Sequence, residues 1–260
     1  MKAALLLAAL VALPLAARPR AARPPGLHVM WIGAHPDDEL LLAPLLGRAC
    51  AAADCAFLVM TRGENGPCKL PGGCGDLGAL RSAEMQSAAA ALHAHVTQWS
   101  YADTITDVDA TWAAGDRAAL VARIADAVAA EHADVVYTFD PAHGSTGHPA
   151  HREVGQLVLD AIGPSRVRFV ETLVTGLATF SAARADAVEV DAAADWHYLV
   201  EDARIHASQF APADVEALMN AEVKKLWWMV APSSTTAGEA ASSPPPEALR
   251  TTARTRNSYR

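Results

Sequence analysis

Short apolar runs alternate with helical patterns along most of this chain, and a polar cluster follows nearly every apolar run. Residues 29–32, 57–60, 96–99, 135–139 and 167–170 read as strands. Between them, 39–52, 77–93, 116–131 and 148–162 carry apolar side chains at helical spacing, such as Leu41, Leu42, Leu45 and Leu46, or Leu120, Val121, Ile124 and Val128. Pro44 weakens the first turns of the first helix. Parallel neighbours need crossover helices, so this order predicts an α/β fold, Rossmann-like and three-layered, around a mostly parallel sheet. Ligands of such sheets bind beyond the C-terminal strand ends. The clusters at 34–39, 61–66, 101–103 and 140–151 all lie there and should converge on one site. Past residue 170 the pattern thins to a short strand at 188–190 and helices at 196–208 and 214–225. Trp227, Trp228 and Met229 read as core packing.

The first cluster, Ala34-His35-Pro36-Asp37-Asp38-Glu39, sets one imidazole and three carboxylates at the end of a buried strand. Such groups are costly to bury unless a positive charge offsets them, and a divalent cation, zinc most readily, suits His and Asp at this spacing. The last cluster holds Gly147-His148-Pro149-Ala150-His151. Pro149 just inside a helix start puts His148 at the cap and His151 in the first turn. Two histidines three apart at a strand-to-helix junction, facing an acidic loop, also point to a metal.

Together these motifs resemble the LmbE/PIG-L family of zinc-dependent de-N-acetylases, which remove acetyl from N-acetylglucosaminyl conjugates. Shorter matches are Thr61-Arg62-Gly63-Glu64, Arg81-x-x-Glu84 and His206-Ala207-Ser208-Gln209, in the family order over about residues 28–210. The resemblance implies a metal site at the strand C-terminal ends with His35, Asp38 and His151 as ligands of Zn2+ or another divalent transition metal. It implies Asp37 as general base, and Arg81 and Asp103 as contacts to the sugar or its aglycone. Three protein ligands leave a position for water, whose pKa zinc lowers to about 7. Asp37 can take the water's proton, and a protonated His148 can stabilise the oxyanion. The leaving amine takes a proton from Asp37 or from His148.

Each residue also has a plainer reading. Arg81 suits a salt bridge to Glu84 or Asp76, Asp103 a solvated loop acid, and His206 a buried structural histidine. His143 suits an exposed loop, and Glu39 a first-turn acid favoured by the helix dipole. The chain departs from the family pattern in two places. Ala150 stands where many members carry Asp, and an insertion containing Cys68 and Cys74 should remodel one rim. Rival readings are a zinc amidase for another N-acyl group of a glycopeptide or lipid, and a non-catalytic carbohydrate-binding protein. No Gly-x-Gly-x-x-Gly follows the first strand, which argues against a dinucleotide-binding protein.

The expected partner is therefore a small sugar or glycoconjugate. A net charge of −8 and the lack of a basic stripe exclude nucleic acid. Arg250, Arg254, Arg256 and Arg260 read as a solvated end. Lys2 followed by a short apolar run reads as an export signal over residues 1–25, too short for a bilayer span, so no stable membrane insertion is expected once it is removed. A deacetylase domain over 26–231 and a disordered Ser/Pro/Thr-rich tail over 232–260 complete the plan. A secreted or periplasmic setting makes the four cysteines candidates for disulfides, with three possible connectivities. The sequence-local pairing, Cys50–Cys55 and Cys68–Cys74, is expected over a structural zinc site.

Overall fold

The computed structural model describes residues 26–106, 111–113, 115–173, 188–222 and 224–230, the side chains of 171–173 and 227–230 excepted. The segments expected as export signal and polar tail lie outside these residues. Seven strands form one sheet: β1 (His28–Gly33), β2 (Asp54–Thr61), β3 (Ala94–Tyr101), β4 (Val135–Phe139), β5 (Val167–Leu173), β6 (Val188–Asp191) and β7 (Lys225–Val230). Their order is β3-β2-β1-β4-β5-β7-β6. The first five are parallel, whereas β7 runs antiparallel to both β5 and β6. The α/β class and the mostly parallel sheet are as expected. β7 is the exception: its six residues show no alternation, and periodicity alone does not separate a short buried strand from core packing.

The helices are α1 (Ala43–Cys50), α2 (Leu77–Ala91), α3 (Arg117–Ala130), the single turn α4 (Gly144–Gly147), α5 (Pro149–Ile162), α6 (Trp196–Ile205) and α7 (Pro212–Met219). The chain steps outward from β1 to β2 to β3, then returns to β4 and continues to β5 on the other side. With right-handed crossovers, that reversal puts α1 and α2 on one face and α3 and α5 on the other. The contacts agree: α3 packs on α5, while α6 packs on α1 and α2. The switch point, where the loops after adjacent strands diverge, lies between β1 and β4. The two histidine-bearing loops follow these two strands.

Local chemistry sets the ends of the elements. Asp76 and Asp116 cap α2 and α3 by accepting the N–H of Ala79 and Ala119, each at 2.9 Å. The helix expected over 39–52 opens instead as a tight 3-10 turn, Asp38–Leu42, before α1. Pro44 has no N–H to return to the carbonyl four residues back, so an α-helix can only begin around it. The Cys50–Cys55 disulfide ties the end of α1 to β2, and Cys68–Cys74 closes the loop before α2. Trp31 and Phe139 meet edge-to-face at 5.1 Å where β1 and β4 adjoin.

Helix α5 lies so close to β4 that a Cβ on Gly155 would stand 2.1 Å from the Phe139 carbonyl oxygen. Alanine is the better helix former by about 1 kcal/mol, but overpacking against rigid backbone costs about 1–3 kcal/mol. Gly155→Ala is therefore expected to destabilise the protein in urea titrations and to weaken metal binding through His151 on the same helix. Unchanged or higher stability would show that α5 is free to move.

Candidate active site

Asp38 organises the loop after β1. Its Oδ2 accepts the backbone N–H groups of Ala34 and His35 at 2.7 and 2.8 Å, and its Oδ1 lies 3.0 Å from His151 Nε2. Burial works against its charge, but His151 and His35 outweigh burial and hold the carboxyl well below the usual carboxylate range. His35 Nδ1 is 3.6 Å from Asp38 Oδ2, and its Nε2 is 3.2 Å from Asp103 Oδ1. Burial again opposes the charge; Asp38 and Asp103 overcome it and raise His35 to about 10.

The loop after β4 supplies the facing histidines. His151 stacks flat on Phe139 at 4.0 Å, with its Nδ1 2.9 Å from both the Gly144 carbonyl and Thr146 Oγ1. A carbonyl only accepts, so Nδ1 carries a proton, and Nε2, which faces Asp38 Oδ1 as a donor, is the nitrogen that can take a metal once it gives up its proton. His148 caps α5, its Nδ1 accepting the Ala150 N–H at 3.2 Å. The neutral ring then carries its proton on Nε2, as a donor. Burial, with the charges of His35 and His151, pushes His148 down to about 4. A protonated His148 is thus not the state this geometry holds near neutral pH. Ala150 is fully buried, so a carboxylate at this position would be desolvated.

The donor atoms of His35, His148 and His151 lie within 4.8 Å of one another, with Asp38 in reach of two of them. Imidazoles that can give up a proton to an ion, and a depressed carboxylate, all buried or partly so, fit a divalent transition ion.

Asp37 is placed differently from its neighbour. Its φ of 101° is left-handed, which costs a non-glycine residue about 1–2 kcal/mol. Its N–H is held by Glu39 Oε2 at 3.2 Å, and its carboxylate by Arg81 at 2.8 Å. Burial, partly offset by the Arg81 guanidinium, pushes the Asp37 carboxyl up to about 6. Arg81 is only 3% exposed and is largely committed to protein: it also donates to the carbonyls of Gly63, at 2.9 Å, and Pro36. The alternative bridges are taken elsewhere, Asp76 by Arg62 and Glu84 by Ser208. Gly63 has φ +64°, and a Cβ there would fall 2.4 Å from Arg81 Nη1.

Asp103 is not a solvated acid. It receives the Asn65 N–H at 3.1 Å and its own N–H reaches Glu64, joining the loops after β2 and β3. Burial raises its carboxyl, but the His35 hydrogen bond and charge outweigh that and lower it. A cavity of about 410 Å³ opens over His35, Asp37, Asp38, Arg81, Asp103, His148 and His151, with Leu40, Leu41, Ile105 and Phe210 as its apolar wall. His143 pairs with Asp140 at 2.7 Å and is not part of that wall among the described residues. The pairing that sequence reasoning missed is Glu39–His206, at 2.6 Å with both side chains fully buried. The matching His206-Ala207-Ser208-Gln209 segment was the only signal that marked it.

A donor cluster of this kind, beneath a cavity at the switch point of a parallel sheet, defines the class as an α/β protein with a candidate metal centre. Residues 30–162, slightly more than half of the chain, match the PIG-L family, described as GlcNAc-PI de-N-acetylase. The chain belongs to that family of amide hydrolases. No curated protein matches the chain. Among solved structures it is similar to N,N'-diacetylchitobiose deacetylase from Pyrococcus horikoshii, at TM-score 0.58 and 17% identity over 80% of this chain and 85% of that one. It is similar to GalB, the 4-carboxy-2-hydroxymuconate hydratase from Pseudomonas putida, at 0.59 and 14% over 82% and 100%. It is also similar to the conserved protein TT1542 from Thermus thermophilus, at 0.56 and 19% over 84% and 100%. At these identities the likeness establishes the fold.

Two outcomes follow from this geometry. Arg81→Lys keeps the charge but loses the fork that joins Gly63, Pro36 and Asp37; turnover should fall about 10-fold or more, with metal content unchanged by elemental analysis, and near-native turnover would refute the clamp. In chelator-treated protein, folded His35 keeps a proton up to about pH 10 that the unfolded chain releases near 6.5. Its stabilisation is therefore full below 6.5 and is lost as pH rises toward 10, with a slope of up to about 1.4 kcal/mol per pH unit for one proton. Thermal melts should show that decline, and His35→Gln should flatten it.

Proposed function

We propose that this protein is an exported, zinc-dependent hydrolase that removes the acetyl group from an N-acetylglucosamine-type sugar or glycoconjugate. The observation that carries the reading is the division between neighbouring carboxylates: Asp38 is tied into the histidine cluster, while Asp37 stays outside it and faces the cavity with a carboxyl near 6. His35, Asp38 and His151 would hold the ion, zinc or another divalent transition metal. When bound, it supplies Lewis acidity, polarising an amide carbonyl and lowering the pKa of water toward about 7.

The chain's own residues do the rest. Asp37, ionised at neutral pH yet able to accept a proton, takes one from the attacking water as it adds to the acetamide carbonyl. His148, neutral with Nδ1 occupied by the Ala150 N–H, donates its Nε2–H to the developing oxyanion. A neutral His148 cannot also release a proton cheaply, so Asp37 returns its proton to the leaving amine. Asp103, linked to Asn65 on the cavity rim, would contact sugar hydroxyls, and Arg81 would act by fixing Asp37. Export is supported by the two disulfides and by the apolar N-terminal run. No helix among the described residues is long and apolar enough to cross a membrane. The apolar wall of Leu40, Leu41, Ile105 and Phe210 favours one second reading, an amidase for a longer N-acyl group.

Acetate release from a panel of N-acetylglucosamine conjugates, with N-acyl lipids alongside, tests both readings. Turnover should stop with chelator and return with Zn2+. Asp37→Ala should lose about 10²–10⁴-fold in kcat while retaining its metal. Near-native activity in that variant, or release of only longer acyl groups by the wild type, would overturn the main reading.

A further inference from the structure

Behind the cavity floor lies a hydrogen-bond chain that the reaction scheme does not use. The two oxygens of Glu39 have different partners: Oε2 accepts the Asp37 backbone N–H at 3.2 Å, and Oε1 lies 2.6 Å from His206 Nε2. His206 ends α6, and the turn that follows returns the N–H groups of Gln209 and Phe210 to its carbonyl at 2.8 and 3.0 Å. Within that turn, Ser208 donates its backbone N–H and its hydroxyl to Glu84 at 2.9 and 2.6 Å. Glu84 lies on α2 three residues after Arg81, which grips the Asp37 carboxylate from the other side. Asp37 is thus held at its main chain by Glu39 and at its side chain by Arg81, and both holds lead back to residues 206–208.

We infer that His206 is a positioning residue for the deacetylation: acting through Glu39, it keeps the Asp37 main chain left-handed and so aims the Asp37 carboxylate into the cavity. The inference rests on the reading of Asp37 as proton acceptor. Positioning, rather than proton transfer, follows from the contact itself, because Glu39 meets Asp37 at an amide N–H and not at its carboxylate. The cluster of Glu39, Asp202 and His206 also has the spacing of a metal centre. Glu39 Oε1 and His206 Nε2 already face each other at hydrogen-bond distance, and the metal count of the wild type separates a hydrogen-bonded pair from a second ion site. Asp202 lies 3.9 Å from His206 Nε2, and neither of its oxygens has a hydrogen-bond partner among the described residues. Burial and the charge of Glu39 push its carboxyl well above the usual range.

The experiment measures kcat, KM and metal content for His206→Ala, His206→Gln, Asp202→Asn and Asp37→Ala in the full chain. His206→Ala should lose about 10-fold or more in kcat, with KM and metal content within about twofold of wild type. His206→Gln, which restores a donor to Glu39, should recover most of that loss. Asp202→Asn, close in shape and without a hydrogen bond to lose, should stay within about threefold of wild type. If His206→Ala does not fold, Glu39→Gln, whose single carbonyl oxygen cannot accept from both Asp37 and His206, carries the comparison and should show the same loss in kcat alone. The inference is overturned if His206→Ala keeps wild-type kcat, if kcat falls only together with metal content, or if wild type binds two metal equivalents of which Asp202→Asn removes one. An inactive Asp37→Ala beside a fully active His206→Ala sinks this inference alone; an active Asp37→Ala sinks the proton-acceptor reading with it.

Discussion

The carboxylate of Asp38 joins two parts of the chain that the sheet topology pulls apart. At the switch point the loops after β1 and β4 leave toward opposite faces, which opens a crevice but leaves nothing in the sheet to fix one loop against the other. Asp38 closes that gap with its two oxygens. One caps the backbone at Ala34 and His35 and sets the path of the β1 loop; the other meets His151 on the first turn of α5. His151 is itself fixed by Phe139 beneath its ring and by the Gly144 carbonyl at its far nitrogen. The floor of the site is therefore an extension of the β1–β4 pairing, continued in side chains past the point where the strands end.

That construction carries an electrostatic cost which accounts for the rest of the site. Asp38 and Asp103 both press on His35 and raise it to about 10, favouring a charge on that ring. A divalent ion can take over this positive charge while the imidazoles act as neutral donors, so the same geometry serves either state. His148 shows the other side of the balance. Three imidazoles this close cannot all be charged; with its Nδ1 engaged by a backbone amide, His148 stays neutral and presents a donor hydrogen instead.

The sequence made the fold legible where its signals were local. Strand and helix periods marked β1 to β5 and their crossovers, Pro149 marked the start of α5, and the two histidine motifs marked the centre of the site. Less visible were features that depend on the chain meeting itself over long separations. Glu39 and His206 are 167 residues apart, and each alone fits a bland role as a helix-start acid or a structural histidine. Arg81 showed the same limit: its local partners Glu84 and Asp76 were the natural guesses, and the structure sends it 44 residues back to Asp37. β7 escaped notice because its unalternating apolar run, residues 226–230, suits core packing as well as a strand.

Asp37 and Asp38 show how far position overrides residue type. They are adjacent and chemically identical, yet one is held well below the ordinary carboxylate range and the other is raised to about 6. The separation begins in the backbone. The left-handed turn at Asp37 rotates its side chain away from the histidines, toward a guanidinium already shared with two carbonyls. Asp38, back in helical conformation in the first turn after it, points into the imidazoles and the backbone amides. Environments that drive two neighbouring acids in opposite directions mark one for holding charge and the other for moving a proton. The buried acid that follows them, Glu39, spends its own charge keeping that turn in place.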